Sequence, residues 1–200
     1  MIYDFCDLEN IGKSDYLNDF YYNSVLKINK IIDKKTCSNA LHYFLDNEEN
    51  LISKYKKDSK GLVLDVIEDK DYIKYFEYPL SENFKIFGPF INNKIILLAS
   101  KLLGCDVFLR SMEIHTRGPG SSEIPAHQDN GYYGLKNADA LTFYIALNPQ
   151  TSKNGGLTYI SNNQGVEFEH ISSSSKAFSL CINPKDLPKT KNYLLSWGKS

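Results

Sequence analysis

Pro125-Ala126-His127-Gln128-Asp129-Asn130-Gly131 is the stretch on which the reading of this chain turns. Ile124 to Asp129 reads as a strand, and successive side chains of a strand point to opposite faces. Residues two apart share a face, so His127 and Asp129 are expected to project together. A neutral imidazole and a carboxylate are two of the three side chains of the 2-His-1-carboxylate arrangement that holds non-haem iron and leaves other positions open. The triplet alone is a weak signal, because a turn histidine beside a surface aspartate has the same spacing. The flanking sequence carries the weight.

Downstream, Ala140 to Leu147 is strongly β-forming, with Thr142, Phe143, Tyr144 and Ile145 in succession. Asn154-Gly155-Gly156 reads as a turn, and Leu157 to Ser161, Leu180 to Ile182 and Tyr193 to Trp197 as short strands. Upstream, Cys105 to Arg117 alternates like a strand and runs into the loop Gly118-Pro119-Gly120-Ser121-Ser122.

Before Gly104 the character is helical. Val25 to Ile32 reads as a short entering strand. Asp33 is placed to cap a helix over Lys34 to Lys57, with an apolar stripe at Ala40, Leu41, Phe44, Leu45, Leu51 and Ile52. The run Asp58 to Gly61 is expected to stop it, with Gly61 as the C-terminal cap. Leu62 to Ile67 reads as a strand, and Asn92 to Leu103 as a second helix ended by Gly104. Helices first and strands after predict one α+β domain over residues 1–200: a helix-rich part, 1–104, and an antiparallel barrel or jelly roll, 105–200.

Composition narrows the function classes. The 200-residue chain is 42% apolar with a formal net charge of −1, and its only arginines are Arg110 and Arg117, so no nucleic-acid partner is expected. Cys6, Cys37, Cys105 and Cys181 form no CxxC pair, which argues against a zinc knuckle or a disulfide scaffold. The acidic start MIYDFCDLEN is not a signal peptide, and the apolar stretch Ile95 to Ala99 is far too short to span a membrane. A soluble, cytoplasmic protein is the expectation. No GxSxG, P-loop or Rossmann fingerprint occurs.

From Glu113 to Ile182 the chain resembles the phytanoyl-CoA dioxygenase family of Fe(II)/2-oxoglutarate-dependent oxygenases. The matching residues are His127-Gln128-Asp129, the run Leu141 to Leu147, and the run Asn154 to Ile160. Arg117-Gly118-Pro119-Gly120 resembles the basic residue and Pro/Gly loop that precede the family's H-x-D. His170 falls where the family often has a histidine after a Pro-Gly-Ser-His loop, although that loop here reads Ile160-Ser161-Asn162-Asn163.

The resemblance implies a double-stranded β-helix, that is, a cupin-like jelly roll, with Fe(II) and 2-oxoglutarate as cofactors. It implies hydroxylation of a small-molecule substrate by O2, with 2-oxoglutarate decarboxylated to succinate. Halogenating relatives replace the carboxylate ligand, and Asp129 keeps it. By the resemblance His127 and Asp129 would be metal ligands and Tyr144 would sit near 2-oxoglutarate with Thr142 on the same face, or both would pack in the barrel wall. Arg117 reads as meeting an anionic substrate or the cofactor, or as a surface salt bridge, and His115 as lining the substrate mouth or as a satisfied wall histidine.

The pattern departs from the family at one point. The family's third ligand is a distal histidine beyond a Gly-Asp pair, followed by an arginine that pairs with the far carboxylate of 2-oxoglutarate. The nearest segment is Tyr193 to Lys199, and no histidine follows His170. The expectation is a jelly-roll core that is C-terminally incomplete within residues 105–200. His170 is a candidate stand-in, although the resemblance places it on a loop. A non-catalytic jelly-roll module that has lost the distal histidine is the alternative. His42, beside Leu41 on the first helix, reads as structural.

Overall fold

Local chemistry sets the two long helices. The computed structural model describes residues 2–7, 13–58, 60–121, 123–135, 140–160, 166–175, 178–187 and 192–194. Asp33 is extended (φ −73°, ψ 153°), and its carboxylate accepts from the Thr36 N–H at 2.9 Å and the Thr36 hydroxyl at 2.6 Å. This satisfies donors that a helix start leaves unpaired. Helix α2 then runs Lys34–Tyr55 and buries Cys37, Ala40, Phe44 and Leu51. Leu45, expected in the stripe, is 57% exposed.

The same logic builds the second long helix. The Asn92 side chain accepts from the Ile95 N–H at 3.1 Å, and Gly104 closes the far end in the left-handed conformation (φ 72°). Between them Asn93–Leu103 is α5, so labelled because α1 (Lys13–Asn23) and the single turns α3 (Pro79–Glu82) and α4 (Phe84–Phe87) precede it. The stretch Phe84–Leu103 is apolar and long enough to cross a membrane by length and composition alone. It divides into α4, a 3-10 turn at Gly88–Phe90 and α5, and it sends Phe87, Phe90, Leu98, Ala99 and Leu102 into the interior.

Gly61 does not cap α2. The helix ends at Tyr55, and Lys56 donates its N–H to Ile52 O at 2.8 Å. Gly61 instead admits a ring: a Cβ there would lie 2.0 Å from Cε2 of Tyr78, whose hydroxyl reaches Asp58 at 2.8 Å.

Strands β1 (Ile2–Asp4) and β2 (Lys27–Asn29) pair in parallel. Strands β3 (Leu62–Ile67), β4 (Lys70–Phe76) and β5 (Ile114–His115) form a three-stranded antiparallel sheet. The β3–β4 hairpin turns through Glu68 (φ 50°) and Asp69 (φ 61°). Two successive positive φ values mark the tight turn that suits strand twist, which Asn-Gly usually supplies. Further on, β6 (Thr158–Ile160) pairs with β9 (Asn192–Leu194), and β7 (His170–Ser172) with β8 (Leu180–Ile182), both antiparallel. Among the described residues these small sheets do not close into a barrel. Ser59, Ser122, Ser161, Asn162, Asn163 and the segment 195–200 lie outside the described residues.

Three expected strands differ from the structure. Of Cys105 to Arg117 only Ile114–His115 is paired, against Phe76 and Tyr75. Among the described residues, the segment 140–147 belongs to no ladder, yet its inward side chains alternate as a strand's would. Leu141 and Phe143 pack on one apolar cluster, Ile145 and Leu147 on the other. The strand expected over Ile124 to Asp129 is likewise unpaired apart from Ala126 O, which accepts from Ile182 N–H at 2.8 Å.

The first cluster gathers α2, β3, β4 and α4 around Phe44, Leu51, Ile73, Phe76 and Phe87. The second joins α1 to α5 through Tyr16, Leu98 and Leu102. Each such side chain stabilises by about 1.5–3 kcal/mol on burial.

Glu82 ties α2 to α3. It accepts from Lys54 at 2.6 Å, Tyr55 at 2.7 Å and Tyr43 at 3.4 Å. Burial pushes its carboxyl up, but the bonds from Lys54 and Tyr55 outweigh burial and hold it below the usual 4.5. A carboxylate depressed in the folded state stabilises above its unfolded value, and that contribution is lost as pH falls through the folded value. Thermal midpoints are therefore expected to hold steady above the ordinary value of 4.5 and to fall below it. Glu82→Gln should be less stable at neutral pH and should lose less on acidification, as read by circular dichroism.

Candidate metal centre

His127 and Asp129 do come together, but through a turn. Asp129 is in the right-handed helical conformation (φ −58°, ψ −33°) and opens α6 (Asn130–Tyr133). The Asn130 side chain decides this: its Oδ1 accepts from Leu135 N–H at 2.9 Å, and its Nδ2 donates to Leu135 O at 3.0 Å. An asparagine bonding its own downstream backbone competes with strand continuation. Gly134 ends the turn in the left-handed region (φ 61°).

Each of the two side chains has one atom engaged and one directed to the other. His127 Nδ1 donates to Pro125 O at 2.9 Å, which fixes the tautomer and leaves the Nε2 lone pair available. Asp129 Oδ2 accepts from the Thr142 hydroxyl. Nε2 of His127 and Oδ1 of Asp129 face each other at 3.6 Å. Two electron-pair donors at that separation are suited to a shared cation. Adjacent ligands of a small divalent metal lie about 3 Å apart when each is about 2.1 Å from it. The donor set thus fits two positions of an iron site. Among the described residues, no three His, Cys, Asp or Glu side chains gather as a ligand set.

Aromatic rings wall the imidazole. Phe178 lies 4.6 Å from the His127 ring and Tyr132 meets it edge-on at 5.8 Å. The Tyr132 hydroxyl donates to Leu180 O at 2.7 Å and accepts from Leu180 N–H at 3.0 Å, pinning α6 to β8. Burial, followed by the nearby Asp129 charge, raises the phenols of Tyr133 and Tyr159. None of these aromatics was marked by sequence.

The other expected site residues sit as follows. His115, on β5, also packs on Phe178, with ring centroids 5.8 Å apart, and its Nε2 is 3.4 Å from Glu113 Oε2. That contact leads the depression of the Glu113 carboxyl. The Thr142 hydroxyl donates to Asp129 and also lies within hydrogen-bonding reach of the Tyr133 hydroxyl. The Tyr144 hydroxyl donates to Gln150 Oε1 at 3.1 Å, and the ring is 46% exposed. Arg117 is near enough to Tyr144 and Asp65 for their charges to oppose the downward push of burial on its guanidinium. It donates to Thr116 O and packs its stem against Gly155. His170 is on β7, not on a loop. A cleft of about 510 Å³ shares Pro125 with this region but is otherwise lined by residues such as Asp65, Glu123 and Ser173, so it does not open on the His127–Asp129 pair.

No protein-family model, no curated protein and no solved structure matches the chain.

Proposed function

We propose that His127 and Asp129 supply two of the three protein ligands of a mononuclear Fe(II) centre, and that the chain is a jelly-roll oxygenase dependent on 2-oxoglutarate. The observation that carries the reading is the complementary engagement of the pair. Pro125 O holds the outer nitrogen of the imidazole and Thr142 the outer oxygen of the carboxylate, so the two inner atoms face one place. Bound there, Fe(II) with 2-oxoglutarate and O2 would supply the oxidation of an unactivated C–H bond, with release of succinate and CO2. The chain's own part is to orient the ligands, to keep water off the imidazole with Phe178 and Tyr132, and to hold anionic groups with Arg117 beside Tyr144. His115 would border the substrate side. The substrate is a small molecule, and the compartment we assign is the cytoplasm.

A second reading, a non-catalytic binding module, is favoured by one observation: no third ligand joins the pair among the described residues. Succinate formation with Fe(II) and 2-oxoglutarate separates the two. The oxygenase reading expects weak turnover by residues 1–200 that vanishes in Asp129→Ala; the binding-module reading expects no succinate above the metal-free blank. Turnover that survives that substitution would overturn the metal assignment.

A further inference from the structure

We infer that Gln128 and His170 form a clasp that positions the turn between His127 and Asp129, with His170 acting as a positioning residue and not as a ligand. The inference rests on the metal reading above. The backbone N–H of Gln128, the residue between the two proposed ligands, donates to His170 Nε2 at 2.9 Å. His170 Nδ1 donates to Phe168 O at 2.9 Å. A neutral imidazole has one acceptor nitrogen, and here it is spent on Gln128. That commitment removes His170 from the candidates for third ligand.

The Gln128 side chain binds the same segment. Its Oε1 accepts from Phe168 N–H and its Nε2 donates to Val166 O, both at 2.8 Å. The amide thus does for residues 166–168 what a neighbouring strand's peptide group would do. Gly131 completes the fit: a Cβ there would lie 2.8 Å from Cδ2, Cε1 and Nε2 of the His170 ring. The ring therefore lies directly against the turn.

The anchoring closes on itself. His170 pairs with Ile182 across β7 and β8, and Ile182 N–H donates to Ala126 O at 2.8 Å. Ala126 and Gln128 are held by two residues that are themselves ladder partners, and His127 lies between them. A backbone framed in this way orients both proposed ligands without touching a metal. Outer partners of this kind are worth about 10–100-fold in metal affinity.

The test uses the full chain, Mn(II) as probe, and nitrogen NMR. Without metal, a coupling across the Gln128 N–H···Nε2 bond to His170 is expected, together with one sharp set of His127 ring signals. His170→Phe keeps an aromatic ring but removes the acceptor. It should broaden the His127 signals and weaken Mn(II) binding about 10–100-fold. His170→Gln places an acceptor near the Nε2 position and should restore most of both. A coupling absent from the unaltered chain, or a folded His170→Phe chain with unchanged His127 signals and Mn(II) affinity, overturns the clasp. If His170→Phe does not fold, Gln128→Ala carries the test. It removes both side-chain bonds and keeps the N–H, and unchanged affinity and signals again overturn the clasp. A ligand role for His170 would instead show as loss of the coupling when a diamagnetic ion, Zn(II), is added, and it too overturns the clasp. Failure of the unaltered chain to bind Mn(II) overturns the metal reading alone, because the coupling and the His127 signals are read without metal.

Discussion

Asp129→Ala is expected to weaken Mn(II) or Fe(II) binding by more than about 100-fold, beyond what losing an outer-shell partner costs. It removes one of two inner donors from a place where only two are gathered among the described residues. Thr142→Val should produce a smaller loss, about 10–100-fold, because it frees Asp129 Oδ2 and lets the carboxylate rotate. A calorimetric or spin-resonance titration reads both. The order matters more than either value. If Thr142→Val weakened binding as much as Asp129→Ala, Thr142 would itself have to be a ligand. If neither changed it, the metal would be bound elsewhere.

Asp65→Ala should cost about 3–5 kcal/mol of folding stability, the range expected when one partner of a buried ion pair is removed. The Lys74 side chain is 0% exposed and its Nζ lies 3.3 Å from Asp65 Oδ1, while the other carboxylate oxygen accepts from Ser121. Removing the carboxylate takes the Asp65 charge away from a buried ammonium. Replacing both members, Asp65→Leu with Lys74→Met, should recover most of that loss, because a buried pair exchanged for apolar side chains of similar size is often neutral or better. Urea unfolding of the two singles and the double closes the cycle. A double variant as unstable as Asp65→Ala would show that charge burial is not the cause.

What could be read from the sequence was whatever local chemistry decides. The caps Asp33 and Gly104, and the apolar, β-branched run of β3, need only their neighbours, and they were legible. Strand β4 was not. Its turn uses Glu68 and Asp69 in a conformation usually signalled by Asn-Gly, and Lys74 points inward to Asp65, which breaks the apolar alternation. The two inner donors of the site were legible as a pair, but for a different reason from the one that holds. The expected cause was the pleat of a strand, and the observed cause is the turn that Asn130 closes. Thr142 was read as sharing the face of Tyr144, and its bond to Asp129 was not anticipated. The partnerships of Gln128 with His170 and of Phe178 with His127 span long stretches of chain. Only packing sets them, and no local signal announces them.

The segment 141–147 anchors its inward side chains in two separate apolar clusters and belongs to no strand ladder. It behaves as a tie-rod. Its tension members are side chains, and its backbone carries little of the load. Thr142 is mounted on that rod between Leu141 and Phe143, both anchored in the cluster that joins α1 to α5. A change that loosens that cluster is therefore expected to shift the Thr142 hydroxyl and with it the Asp129 carboxylate that it holds.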